Sequence, residues 1–79
     1  MRQRVQQGEL FFYIEVYKGK FNVAFATEND DFFSRNCYRS GNYFTTKEEG
    51  EKAVRYITRN MFKFHAKESR STNDIKKER

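Results

Sequence analysis

The residues best suited to catalysis are the single cysteine, Cys37, and the single histidine, His65. A thiol beside an imidazole is common in covalent catalysis, where the thiol is the nucleophile and the imidazole is the general base. Cys37 falls on a predicted strand, however, and His65 near the end of a predicted helix, and nothing in the sequence brings them together. A buried thiol and an exposed histidine account for both residues, because free cysteine is one of the most often buried residue types. We therefore predict that the protein is not an enzyme.

The adjacent carboxylates Asp30 and Asp31 are the best candidates for binding a cation. They lie in a polar stretch, residues 27–31, where such residues commonly form turns, and no calcium-loop spacing surrounds them. One cysteine and one histidine cannot supply the four ligands of a structural zinc site. The four glycines are scattered and form no phosphate-binding loop. The sequence predicts no catalytic residue, no metal, no cofactor and no small-molecule substrate.

Positive charge is concentrated in the last third of the chain. Residues 1–54 contain eight Lys or Arg and eight Asp or Glu, whereas residues 55–79 contain eight and three, so the whole excess of +5 lies there. On the predicted helix, Arg55, Arg59 and Lys63 recur every four residues and form what we call the basic ridge. Such a surface favours phosphate groups, although a solvated helix face explains the same residues. The candidate nucleic-acid-binding residues are Lys52, Arg55, Arg59, Lys63, Lys67 and Arg70.

Alternation along residues 10–17, LFFYIEVY, predicts a strand with two different faces. The even-numbered side chains are all apolar and suit the core, so Phe11, Tyr13 and Tyr17 are predicted to point away from it. Exposed rings on a small sheet either stack on bases of single-stranded nucleic acid or form an interface with a protein partner or a second copy. No RNA-recognition-motif signature is present. We therefore favour the protein interface, with Phe11, Tyr13 and Tyr17 as its candidate residues.

Three further elements are predicted around this strand. Gly19 suits a hairpin turn into a second strand over residues 21–26. A weaker third strand is predicted over residues 32–39. Thr46 and Glu49 form a capping box, which predicts a helix from Lys47 to about residue 64. Its apolar side chains fall within one arc, which is typical of an amphipathic helix packed on a sheet.

The predicted fold is α+β: a small three-stranded antiparallel sheet, β-β-β-α, with one C-terminal amphipathic helix packed on one face. Residues 1–66 are predicted to form a single small domain. Residues 67–79 contain few apolar side chains and are predicted to be a disordered basic tail. Rings supply the core of so short a chain, since 18% of its residues are aromatic.

Composition excludes several classes of protein. A chain of 79 residues with 37% hydrophobic residues and a mean hydropathy of −1.04 contains no apolar run near the roughly 20 residues that span a bilayer. We therefore predict no membrane association. The first nine residues have no apolar stretch of the kind found in secretory signals. One cysteine cannot form an internal disulfide.

The order of these features resembles a group of short proteins encoded by bacteriophages and prophages, mostly of unassigned function. The resemblance covers about residues 8–60. It rests on the aromatic strand, the glycine turn, the acidic loop, Arg39 and a Gly-Asn-x-Phe-x-Thr-x-Glu-Glu segment, which is residues 41–49 here. At the next position this chain has Gly50 where the relatives usually carry alanine. The resemblance implies a phage or prophage context in a bacterial cytoplasm and brings no catalytic residues.

Taken together, these observations predict a phage- or prophage-derived accessory protein that binds a protein partner, or a second copy of itself, through the aromatic sheet face. The alternative is a nucleic-acid-binding module that uses the basic helix face and the C-terminal tail. Salt distinguishes the two, because phosphate contacts weaken steeply as salt rises and an aromatic interface does not.

Overall fold

The computed structural model describes the backbone of residues 3–71 and the side chains of residues 3–68. Its centre is a β-hairpin of β1, Leu10–Tyr17, and β2, Lys20–Thr27. The strands are antiparallel in a regular one-to-one register that pairs Phe12 with Phe25. Lys18 and Gly19 form the two-residue turn and both have positive φ, as a primed hairpin turn requires. The predicted hairpin is therefore confirmed.

The predicted third strand is wrong, because its residues form a helix, α1, Phe32–Ser40. Asp31 caps this helix by accepting a hydrogen bond from the Ser34 backbone N–H at 2.9 Å. Gly41 ends it in the left-handed conformation, with a φ of 86°. The fold is thus α+β with two strands and two helices in the order β-β-α-α, not a three-stranded sheet with one helix.

The chain after α1 takes the place beside β1 that the third strand was expected to fill. The backbones of Phe12 and Phe44 exchange two hydrogen bonds of 2.8 Å each. One step along, the backbone N–H of Ile14 donates to Asn42 Oδ1 at 2.6 Å, and Asn42 Nδ2 donates to the Ile14 carbonyl at 2.9 Å. Residues 42–44 therefore extend the sheet by a short edge that combines one backbone bridge with one side-chain amide.

The most deeply buried apolar side chains are Phe11, Tyr43 and Cys37. Phe11 is fully buried, and its ring stacks on that of Tyr43 with the centroids 4.4 Å apart. Cys37 and Phe33 approach the same cluster from α1. This core lies on the face of the hairpin that carries the odd-numbered residues of β1, which the sequence pattern assigned to the outside.

The second helix, α2, is Lys47–Ser71. It begins where the capping box predicts, with the Glu49 backbone N–H donating to Thr46 Oγ1 at 3.2 Å. It packs on the other face of the hairpin, where Gly50 lies directly against the Val23 side chain. The helix extends beyond its predicted end near residue 64, and its last turn includes residues 67–71. The disordered tail over residues 67–79 stays a prediction. Residues 72–79 of that predicted tail lie outside the described residues.

Candidate functional site

Cys37 and His65 lie on different helices. Cys37 is buried in α1, and burial raises the pKa of its thiol, which disfavours the thiolate. His65 is exposed near the far end of α2, with its ring 5.5 Å from that of Phe64. In the part of the chain that the structure describes, no group of three or more metal-ligating side chains comes together.

Asp30 and Asp31 both have structural partners. Asp31 caps α1, and the hydrogen bond from the Ser34 backbone holds the pKa of its carboxyl below the usual range. Asp30 accepts a hydrogen bond from Arg4 Nη2 at 3.2 Å and lies 3.6 Å from Arg35 Nε. Asp31 thus caps α1, and Asp30 is paired with two guanidinium groups.

A buried carboxylate, Glu28, organises the loop between β2 and α1. It is 2% exposed and accepts hydrogen bonds from Arg4 Nε at 3.2 Å, Arg4 Nη2 at 3.1 Å and the Tyr43 hydroxyl at 2.6 Å. The backbone N–H of Asp30 donates to it as well, at 2.8 Å. These partners, Arg4 above all, lower the pKa of Glu28 to about 2. Glu28 thus ties the N-terminal segment, the loop and the aromatic core together, and every observed contact is structural.

The predicted partner interface is wrong for two of its three residues. Phe11 is 0% exposed and Tyr13 packs against the same core, with its ring 5.0 Å from that of Phe33 on α1. Tyr17 is exposed and lies beside Lys18. The prediction failed because α1 covers the face that was expected to be open. For Tyr17 alone, a role in binding a partner stays a prediction.

The basic ridge is exposed along its whole length, and so is Lys52 beside it. Ion pairs between the described residues involve Arg4 and Arg35, and none involves these four side chains. Lys67 is also exposed, whereas the side chain of Arg70 lies outside the described ones. The structure therefore presents a row of cations whose predicted role in binding nucleic acid stays a prediction.

A second exposed surface, which the sequence analysis missed, is the segment of α2 from residue 59 to residue 68. Every side chain in this projecting segment is exposed. The helix has 25 residues, so it is about 37 Å long. The eight-residue strands are about 27 Å long at most. The C-terminal part of α2 therefore extends beyond the end of the sheet.

Large apolar side chains remain in this projecting segment. Met61 is 48% exposed, Phe62 72% and Phe64 56%. Where the segment meets the hairpin turn, Phe21, Met61 and Phe62 line a shallow pocket of about 330 Å³. Met61 lies beside both rings on the helix surface, Phe62 on the pocket side and Phe64 on the other, so apolar side chains occupy more than one side of the segment. Exposed apolar side chains grouped in this way mark a binding site more often than scattered single residues do.

One signal in the sequence could have revealed this surface. The apolar arc of the predicted helix continues through Met61 and Phe64, although a hairpin of eight-residue strands covers only part of such a helix. A comparison of helix and strand lengths would have shown that the end of the arc lacks a partner within the domain.

None of the helices in residues 3–71 is long and apolar enough to cross a membrane. No protein-family model, no curated protein and no solved structure matches this chain.

Proposed function

We propose that this is a non-enzymatic binding module that binds another protein through the projecting segment of α2. One observation carries the proposal: Met61, Phe62 and Phe64 remain largely exposed on a helix that extends beyond the sheet. This surface replaces the aromatic sheet face that the sequence analysis favoured.

Two physical arguments support a protein partner. An unpacked helical segment of about ten residues is only marginally stable in water, so packing against another surface would stabilise it. Aromatic and Met side chains are also enriched at protein interfaces. The pocket beside Phe21 gives this surface a concave apolar site that a partner's side chain could fill.

The resemblance to short phage and prophage proteins supports a proposal about the biological setting. We propose that the protein acts in the cytoplasm of a bacterial host, as an accessory protein of a phage or prophage. The resemblance covers about residues 8–60, and its longest segment, residues 41–49, lies beside β1 and at the start of α2. It therefore concerns the fold of the module more than its binding surface.

The test compares two variants of the full chain. Phe62→Gln combined with Phe64→Gln keeps good helix formers but removes both rings. Phe32→Gln is the matched control, since Phe32 is 81% exposed but lies on α1. The unmodified protein is used to capture a partner from the bacterial host, and the partner is then purified for calorimetry with all three proteins.

We expect the double variant to bind at least about tenfold more weakly. The control should bind as the unmodified protein does, and binding should persist at about 0.5 M salt, where phosphate contacts fail. Equal binding by all three proteins, with helix content unchanged, would place the partner elsewhere and reject the proposal.

The basic ridge favours a second candidate function, binding of nucleic acid. Its cations lie exposed with no ion pair among the described residues, so they remain available to phosphates. Binding would depend on charge, with little reading of sequence. A gel-shift experiment at about 50 mM salt with single- and double-stranded DNA and RNA tests it. If no probe shifts, this candidate is rejected.

A further inference from the structure

The outer edge of β2 has no neighbour within the described part of the chain. β1 lies between β2 and residues 42–44, so the middle of its outer edge is paired at Phe12 and Ile14. β2 pairs with β1 alone, and no described backbone group outside the hairpin bonds to Phe21, Val23, Phe25 or Thr27.

The register shows which groups this edge presents. Phe12 and Ile14 direct their backbone groups away from β2, toward residues 42–44. In an antiparallel ladder, the residues opposite such positions also direct theirs outward. Their partners in β2 are Phe25 and Val23, and by the same alternation Phe21 and Thr27 follow. Four residues therefore offer unpaired N–H and C=O groups along one line.

This edge has few of the features that prevent edge strands of different molecules from pairing. Proteins usually protect such edges with charges, prolines or bulges. Residues 21–27, FNVAFAT, contain no charge and no proline, and their one-to-one register with β1 leaves no bulge. Phe25, on the α2 face of this strand, is 65% exposed.

We propose that β2 pairs with β2 of a second copy of the protein, antiparallel and centred on Ala24. This pairing places Phe21 opposite Thr27 of the second copy and Val23 opposite Phe25. Each of these pairs exchanges two hydrogen bonds, and all four outward-facing residues are used. The two hairpins then form one continuous sheet around a two-fold axis.

Self-pairing suits the side chains along the edge. On the α2 face, the exposed Phe25 ring packs beside Val23 of the other copy. In each copy, Val23 lies directly under the first turn of its own α2, at Gly50. On the opposite face, Ala24 meets Ala24, so nothing bulky separates the strands. No charged side chain enters any of these pairs.

The helix flank that borders the edge is also self-complementary. A groove of about 510 Å³ separates Phe21 and Val23 from Lys47, Glu51 and Arg55 of α2. Charges of both signs line this groove, and the second copy brings the same set in the reverse direction. This mixture favours a second copy over a partner of one strong charge.

The first test is the oligomeric state of the full chain, measured by sedimentation from micromolar to millimolar concentration. Phe25→Lys places a charge on the edge and should weaken dimerisation more than about tenfold. Val16→Lys is the matched control, because Val16 is 70% exposed on the same face but lies on β1. If the protein stays monomeric at every concentration, the proposal is overturned. The edge would then be open to pairing with an extended segment of another protein.

The second test identifies the register of the β2–β2 pair and does not rely on a variant that weakens the dimer. Ala24→Cys, in a Cys37→Ala background, should form an intermolecular disulfide on mild oxidation, because Cα atoms in such a pair lie about 4.5 Å apart. Ala26→Cys should not, since Asn22 lies opposite it in the proposed register. Equal cross-linking at both positions, or none at Ala24, overturns the proposal. The variant that lacks Phe62 and Phe64 should still dimerise, which separates this inference from the proposed function.

Discussion

The side-chain amide of Asn42 pairs with both backbone groups of Ile14, as a neighbouring β-strand would. The Ile14 N–H donates to Asn42 Oδ1 at 2.6 Å, and Asn42 Nδ2 donates back to the Ile14 carbonyl at 2.9 Å. Together with the backbone bridge at Phe44, this contact pairs the middle of the outer edge of β1. One side chain thus does at this edge what a further strand residue would do.

Asn42→Ala should therefore destabilise the protein by roughly 1 to 3 kcal/mol, because two half-buried backbone groups lose their partner. Chemical denaturation measures the change. Asn36→Ala is the control, since Asn36 is exposed on α1 and its side chain has no hydrogen bond to a described residue. Equal stability of the two variants would mean that water replaces the amide at no cost.

The hydrogen bonds of Glu28 make the free energy of unfolding depend on pH. Its pKa is lowered from 4.5 to about 2 in the folded protein, chiefly by the hydrogen bonds from Arg4. A lowered pKa means that the stabilisation is complete above about pH 4.5 and is lost as pH falls toward 2. We expect this loss to reach about 3 kcal/mol at most.

Denaturation curves between about pH 2 and pH 7 test this expectation. Glu28→Gln should be less stable at neutral pH and should show a flatter dependence on pH than the unmodified protein. Glu15→Gln removes an exposed carboxylate from β1 and should keep the full dependence. Parallel curves for Glu28→Gln and the unmodified protein would contradict the assignment.

The sequence predicted the hairpin and the start of α2 because their signals are local. The two-residue turn with Gly19 and the cap at Thr46 act within a few residues of the structure they specify. The error at α1 has a different cause. Phe33 and Cys37 are four residues apart, and that spacing places two side chains on one face of either a strand or a helix. Asp31 as an N-cap and Gly41 as a C-terminal stop were the signals that favoured the helix.

The reversed faces of β1 could not have been predicted from the strand itself. Both faces are rich in apolar side chains, and a strand buried on both sides loses its alternation. Phe11 is buried because Tyr43 and α1 return to cover it, and these contacts link distant parts of the chain. The exposure of the basic ridge, by contrast, followed from helical periodicity alone.

Gly50 tests how closely α2 approaches β2. A Cβ added there would lie 3.0 Å from Cγ1 of Val23 and 3.3 Å from its Cγ2, which is closer than ordinary contact. Alanine is favoured over glycine in a helix by roughly 1 kcal/mol. In a Val23→Ala background, Gly50→Ala should gain about this amount. In the unmodified background the gain should be smaller or become a loss, and equal gains in a double-mutant cycle would show that the contact is relaxed.

Changing Arg55, Arg59 and Lys63 to Gln should leave the fold intact, because all three are exposed. Relief of two repulsive i, i+4 pairs should add about 0.5 kcal/mol of stability. If the protein binds nucleic acid, the same change should weaken binding and make the salt dependence shallower by about three units of slope, since three phosphate contacts are lost. The matched control changes three exposed cations elsewhere to Gln, namely Lys18, Arg39 and Lys47. Equal losses in both variants would mean that net charge alone drives binding, and that the basic ridge is a solvated face of α2.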